Sequence, residues 1–261
     1  MLKRELKINK KSFFIWTAIC LGMFAMGFLI YPSIVGTEFN FDDIVKTMPK
    51  EMLKMFNMDI SSIGNVFGWL KTEGNTFLLL LSGLFASIMG SSILLKEESE
   101  KTIEYLYSKP IKRNDIIKAK LICGIIYIFL MNLSITTFNY VGLLISGDFN
   151  QKEFIILSLS PLLMAIPTFL LSVFIATFFD KTKKTSGISI GIVFLGYFLM
   201  IFSNMGEKFT ILKYFSLYTL SNSREIILNN NIGFESIIIS IVISCILVLL
   251  LYRKYNKKEL V

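Results

Sequence analysis

The sequence is poor in groups that do covalent chemistry. It contains no histidine, which removes the usual general base, the usual zinc ligand and the common partner of a nucleophile. Cys20, Cys123 and Cys245 fall in three separate apolar runs without metal-like spacing, so they read as small apolar fillers. Met48, Met52, Met55 and Met58 have the softness for a metal such as Cu(I), yet Met along one helical face is far more often packing. Gly22 and Gly27, Gly142 and Gly147, and Gly191 and Gly196 have Walker A glycine spacing, but Phe28, Asp148 and Tyr197 stand where lysine is required. No catalytic residue, metal or cofactor is therefore expected in this chain.

What must position the remaining polar groups is a membrane fold. Over 261 residues the chain is 54% hydrophobic with a mean hydropathy of +0.63, too apolar for an ordinary soluble domain. Six apolar runs predict an all-α integral membrane protein, a single domain spanning 1–261 with helices at about 13–35, 76–95, 121–146, 154–179, 186–203 and 236–252. The first run has no Ala-x-Ala end and exceeds the roughly 7–15 residues of a signal-peptide core, so it is expected to stay in the mature protein. The segment 36–75 is acidic, and Thr47, Pro49, Met52, Phe56, Ile63, Phe67 and Leu70 predict interfacial helices there. A second outer segment, 204–235, is rich in Phe, Tyr and Leu and predicts a re-entrant or surface helix. Pro161 and Pro167 imply kinks in the fourth span.

Two small-residue faces are candidates for helix packing: Gly83, Ser87 and Ser91 in the second span, and Gly187 with Gly191 in the fifth. Asn132, Thr136 and Asn139 share a face of the third span. They are candidates for a translocation path, although hydrogen bonding between helices is the commoner use of such residues. With both termini inside, 19 of the 27 bases fall in inner segments, as the positive-inside rule requires. No Asp, Glu, Lys or Arg then lies inside the six spans as drawn, which disfavours ion-coupled transport.

The polar island Lys96 to Asp115 joins the second and third spans. Its acids (Glu97, Glu98, Glu100, Glu104) precede its bases (Lys109, Lys112, Arg113), the order a helix dipole favours. Ile103, Leu106 and Tyr107 recur at i, i+3 and i+4, predicting a short amphipathic helix outside the bilayer that starts at Glu97 and that Pro110 ends. Asn114 or Asp115 can cap the helix that follows. A solvated connecting loop would carry similar charge.

The order acidic cluster, Thr102-Ile103-Glu104-Tyr105-Leu106, Ser108-Lys109-Pro110-Ile111, basic pair, Lys120 resembles the first cytoplasmic loop of the type-2 ABC transporter permeases. The six-span layout extends the resemblance to the whole chain. Lys101 stands where that family usually carries Gly, and Lys112 where Ser is usual. The resemblance implies a permease subunit, expected to export its substrate, in a prokaryotic plasma membrane. It implies that the island is a coupling helix, with Glu97, Glu98, Glu100, Thr102, Ile103, Glu104, Leu106, Tyr107, Pro110 and Arg113 meeting a separate subunit that binds ATP and Mg. It also implies a second permease copy or related chain as partner within a lipid bilayer; nucleic acid is not expected, because the bases behind the net charge of +8 collect in loops between apolar runs and not on one soluble face. The residues alone leave open an ATP-independent channel, a secondary transporter or a membrane scaffold, which co-purification of an ATPase would separate. Nothing in the spans selects a substrate.

Overall fold

The computed structural model describes residues 1–35, 65–102, 112–222, 226–227 and 231–257. Among the described residues there is no strand, and six helices are long and apolar enough to cross a membrane. They are α1 (Leu2–Val35), α2 (Val66–Ser99, with a π turn at Leu70–Gly74), α3 (Arg113–Ser146), α4 (Gln151–Ala176), α5 (Thr182–Ser203) and α6 (Phe234–Lys257). Of the interfacial helices expected from Thr47 to Leu70, the part up to Ile63, Met48, Met52, Met55 and Met58 included, lies outside the described residues, whereas Phe67 and Leu70 belong to the first turns of α2, which begins at Val66 and not at 76.

Every spanning helix begins before its apolar stretch, α2 and α6 also end beyond theirs, and α4 ends at Ala176, short of the expected 179. Polarity marks where lipid ends, whereas a helix continues for as long as its backbone and flanking side chains are satisfied. Thus α1 begins in the basic flank, and α3 has 34 residues, about 51 Å at 1.5 Å per residue. Two expectations at the island are corrected. Glu97 belongs to the last turn of α2 and does not start a new helix. The N-cap of α3 is Lys112, without a side-chain cap bond, so Asn114 and Asp115 lie in its first turn instead of capping it. Asp115 still meets the positive end of the helix dipole there.

The centre of the bundle is the α2–α4 pair, with α5 on α2, α1 on α3 and α6 on α4. Glycine permits the closest approaches: a Cβ at Gly90 would stand 2.5 Å from the Phe169 carbonyl oxygen, and one at Gly124 would stand 2.0 Å from the Phe169 ring. At the far end Trp69 closes α2 onto α1. Its indole would meet a Cβ at Gly27 at 1.9 Å and has Phe24, Phe28 and Tyr31 around it.

Both prolines lie within continuous α4. Each deprives the carbonyl four residues earlier of its helical donor. The structure supplies replacements: the Ser160 hydroxyl donates to Leu157 O at 2.9 Å, and the Ser240 hydroxyl of α6 donates to Leu163 O at 2.7 Å. The second bond ties α6 to the centre, a polar contact suited to an apolar medium that offers the carbonyl no water.

The segment after α5 folds as 3₁₀ turns at Glu207–Phe215 and Leu217–Ser221. Tyr214 and Phe215 of the first turn are exposed, while Tyr218 to Ser221 of the second are buried. Ser216 Oγ anchors the second turn by donating to Gly196 O at 2.6 Å, and Ser221 Oγ donates to Ser160 O.

Candidate functional site

All six helices bring one end to the same place. Arg4 of α1 reaches Glu97 of α2, Ser99 meets Thr182 of α5 at 2.7 Å, and Lys254 of α6 lies 4.7 Å from the ring of Phe178, just past α4. The island therefore leaves α2 and re-enters α3 at this shared end.

Lys120, two turns into α3, is the hub. Its side chain is 2% exposed. The ammonium donates to Glu97 Oε2 at 2.7 Å and to the carbonyl of Ile93, one turn earlier on α2, and lies 3.7 Å from Glu5 Oε2 of α1. Arg4 lies 3.7 Å from Glu97 Oε1 and 3.9 Å from Glu5 Oε1. Two bases and two acids from three helices thus balance, with Glu5, Glu97 and Lys120 buried and Arg4 at the solvent edge, its side chain 39% exposed. Neighbouring contacts fix the geometry: Asn9 donates to Glu5 O at 3.0 Å, Tyr127 of α3 donates to Leu6 O, and the Phe13 and Tyr127 rings stack at 4.9 Å. Removing one member of such a buried set leaves an uncompensated charge, which costs about 3–5 kcal/mol.

The exit from α2 is equally defined. Lys101 has φ +56, the left-handed conformation. Its amide donates to Glu98 O at 3.2 Å, and that of Thr102 donates to Glu97 O at 2.9 Å. These are the paired bonds of a Schellman end, whose left-handed position favours glycine. The position at which the permeases usually carry Gly is therefore where the backbone turns left-handed, and here lysine carries the strain.

The predicted site residues divide as follows. Glu97 is buried in the cluster, Glu98 and Arg113 are half-buried, and Glu100 and Thr102 are exposed. Ile103, Glu104, Leu106, Tyr107 and Pro110 lie outside the described residues. Gly83 lies under Tyr218, whose hydroxyl would stand 1.8 Å from a Cβ there; burial pushes that phenol's pKa up. Ser87 and Ser91 are fully buried, and Ser91 meets Ser186 of α5 at 2.8 Å. No described atom comes within 4 Å of a Cβ built at Gly187 or Gly191. Asn132 and Asn139 are buried, with Thr136 donating to Asn132 within α3 at 3.4 Å. Asn139 borders a cavity of about 20 Å³ between α2, α3 and α4, space on the scale of one water.

Sequence reasoning did not identify Glu5, Arg4 and Lys120 as one cluster. The available signal was that Glu5 is the single acid in a basic flank and that Lys120 ends the island motif. Among the described residues no group of three His, Cys, Asp or Glu could hold a metal ion. The arrangement ties α1, α2 and α3 together at the ends from which the island departs.

Neither a curated protein nor a solved structure matches the chain significantly. A family model described as ABC-2 family transporter protein matches residues 8–260. With six membrane-length apolar helices and that match along nearly its whole length, the chain belongs to the ABC-2 transporter family, as a multi-pass type-2 permease.

Proposed function

We propose that this permease exports a substrate across a prokaryotic plasma membrane, driven by ATP that a separate subunit binds with Mg and hydrolyses. Two permease chains, identical or related, pair with two such subunits. Both termini and the shared helix end face the cytoplasm, in keeping with 19 of 27 bases falling in the inner segments. The segment between Thr102 and Lys112 is the coupling element.

The observation that carries this reading is the buried Lys120 cluster at the roots of that segment. Glu97 holds one root and α3 the other, so a displacement imposed on the loop is delivered to α1, α2 and α3 together. Glu104 and Leu106 are the residues through which the ATP-binding subunit is engaged, one by charge and one by apolar contact. Breaking one side of a desolvated charge pair costs about 2–5 kcal/mol, whereas a solvated charge costs almost nothing. Glu104→Lys and Leu106→Ala are therefore expected to cut recovery of the ATP-binding subunit on inside-out vesicles and to uncouple hydrolysis from transport. Wild-type recovery in both variants, or equal recovery on right-side-out vesicles, would overturn the assignment.

A further inference from the structure

At the shared end, beside the ionic cluster, α1 and α2 part to leave a lateral groove of about 570 Å³, closed at one end by the start of α5. That lies within the ~300–1,000 Å³ of small-molecule sites. Its lining is graded. Lys11 of α1 and Lys96 of α2 stand toward the polar helix ends, Ser12 and Ser92 lie next to them, and Ile15 and Trp16 lie one turn deeper on α1. The helices run antiparallel, so both place charge at one end of the groove and apolar surface at the other. Neither Lys11 nor Lys96 is ion-paired with a carboxylate among the described residues, and Glu100 is the single acid of the lining.

An occupant must therefore carry an anion at one end and a hydrocarbon at the other, and reach the groove from the membrane. We infer that the groove holds one anionic phospholipid of the leaflet on the basic side, its phosphate between Lys11 and Lys96 and an acyl chain along Ile15 and Trp16. A basic pocket between spanning helices has the chemistry for such a headgroup, and tryptophan favours that depth. The lipid would act as a bound wedge between α1 and α2, next to the cluster that holds Glu5 to Lys120, and not as transported cargo.

The test uses the full-length permease in neutral detergent, where no charged surface remains, with phosphatidylglycerol titrated and counted by native mass spectrometry. One retained lipid per chain is expected. Lys11→Gln/Lys96→Gln should weaken retention roughly 10- to 30-fold, from a factor of about five per basic residue. Lys7→Gln/Lys10→Gln removes equal charge outside the lining and should retain the lipid. Because all four lysines are exposed or half-buried, both variants keep the fold, and thermal melting without lipid checks this. Four results would overturn the inference: phosphatidylcholine retained equally well, loss of retention in the control variant, glycerol phosphate competing as strongly as the lipid, or a Ser12→Cys/Ser92→Cys crosslink forming between two permease copies.

Discussion

Lys101 is a lysine in a glycine position. A left-handed backbone costs an L-residue roughly 1–2 kcal/mol, while glycine gives back part of that through its greater freedom when unfolded. Lys101→Gly is therefore expected to stabilise the protein by about 0.5–1 kcal/mol, read as a higher melting temperature in detergent; a lower one would mean that the lysine side chain holds the turn. The sequence marks this residue as a departure from the family pattern, but φ +56 comes only from the fold. Lys120 carries more weight. Lys120→Met leaves Glu5 and Glu97 buried together without their ammonium and should cost about 3–5 kcal/mol. Adding Glu97→Gln should recover part of that loss, since residues in one network are not additive. Strict additivity in the cycle would show that the two side chains act independently. Lys120 is visible in the sequence as the end of a motif; its burial is not, because no pattern along α3 shows that α1 and α2 each aim a carboxylate at it.

At the scale of elements, the six apolar runs gave all six helices, because twenty or so apolar residues without charge satisfy length and solvation at once. Their ends were less legible. Glu97 looked like a helix start because polarity changes near Lys96, yet partners across the bundle let α2 continue to Ser99. Pro161 and Pro167 were visible as breaks in the hydrogen-bond ladder. That Ser160 and Ser240 would fill them required knowing which helix lies beside α4. The small-residue faces separate in the same way, since Gly83 is covered by Tyr218 while Gly187 is open. Gly83→Ala is expected to destabilise by about 1–3 kcal/mol, as overpacking of a close contact does, whereas Gly187→Ala should leave the melting temperature unchanged or raised through helix propensity. Equal losses at both positions would contradict this packing.

For the molecule as a whole, the sequence carries the membrane class and charge asymmetry directly, while the assembly has to be argued from surfaces. Most of the apolar windows of α1, α5 and α6 remain uncovered by the described residues, and a surface of that kind can face lipid or another copy. Lipid tails are as apolar as leucine, so helix association in a bilayer is driven by close backbone approach, which small residues permit. On α5 the open pair Gly187 and Gly191 offers that approach, while Gly196 of the same helix is already covered by Tyr218 and Ser216. If a second permease packs here, Gly187→Leu with Gly191→Leu fills space that no other described residue occupies. The variant chain should then insert and melt as wild type, yet lose dimers when subunits are counted by single-molecule photobleaching in nanodiscs. On the proposed assembly, recovery of the ATP-binding subunit should fall with it, because the two proposed coupling segments would no longer be held side by side. A wild-type dimer fraction in that variant would assign this face to lipid and move the pairing surface to α1 or α6.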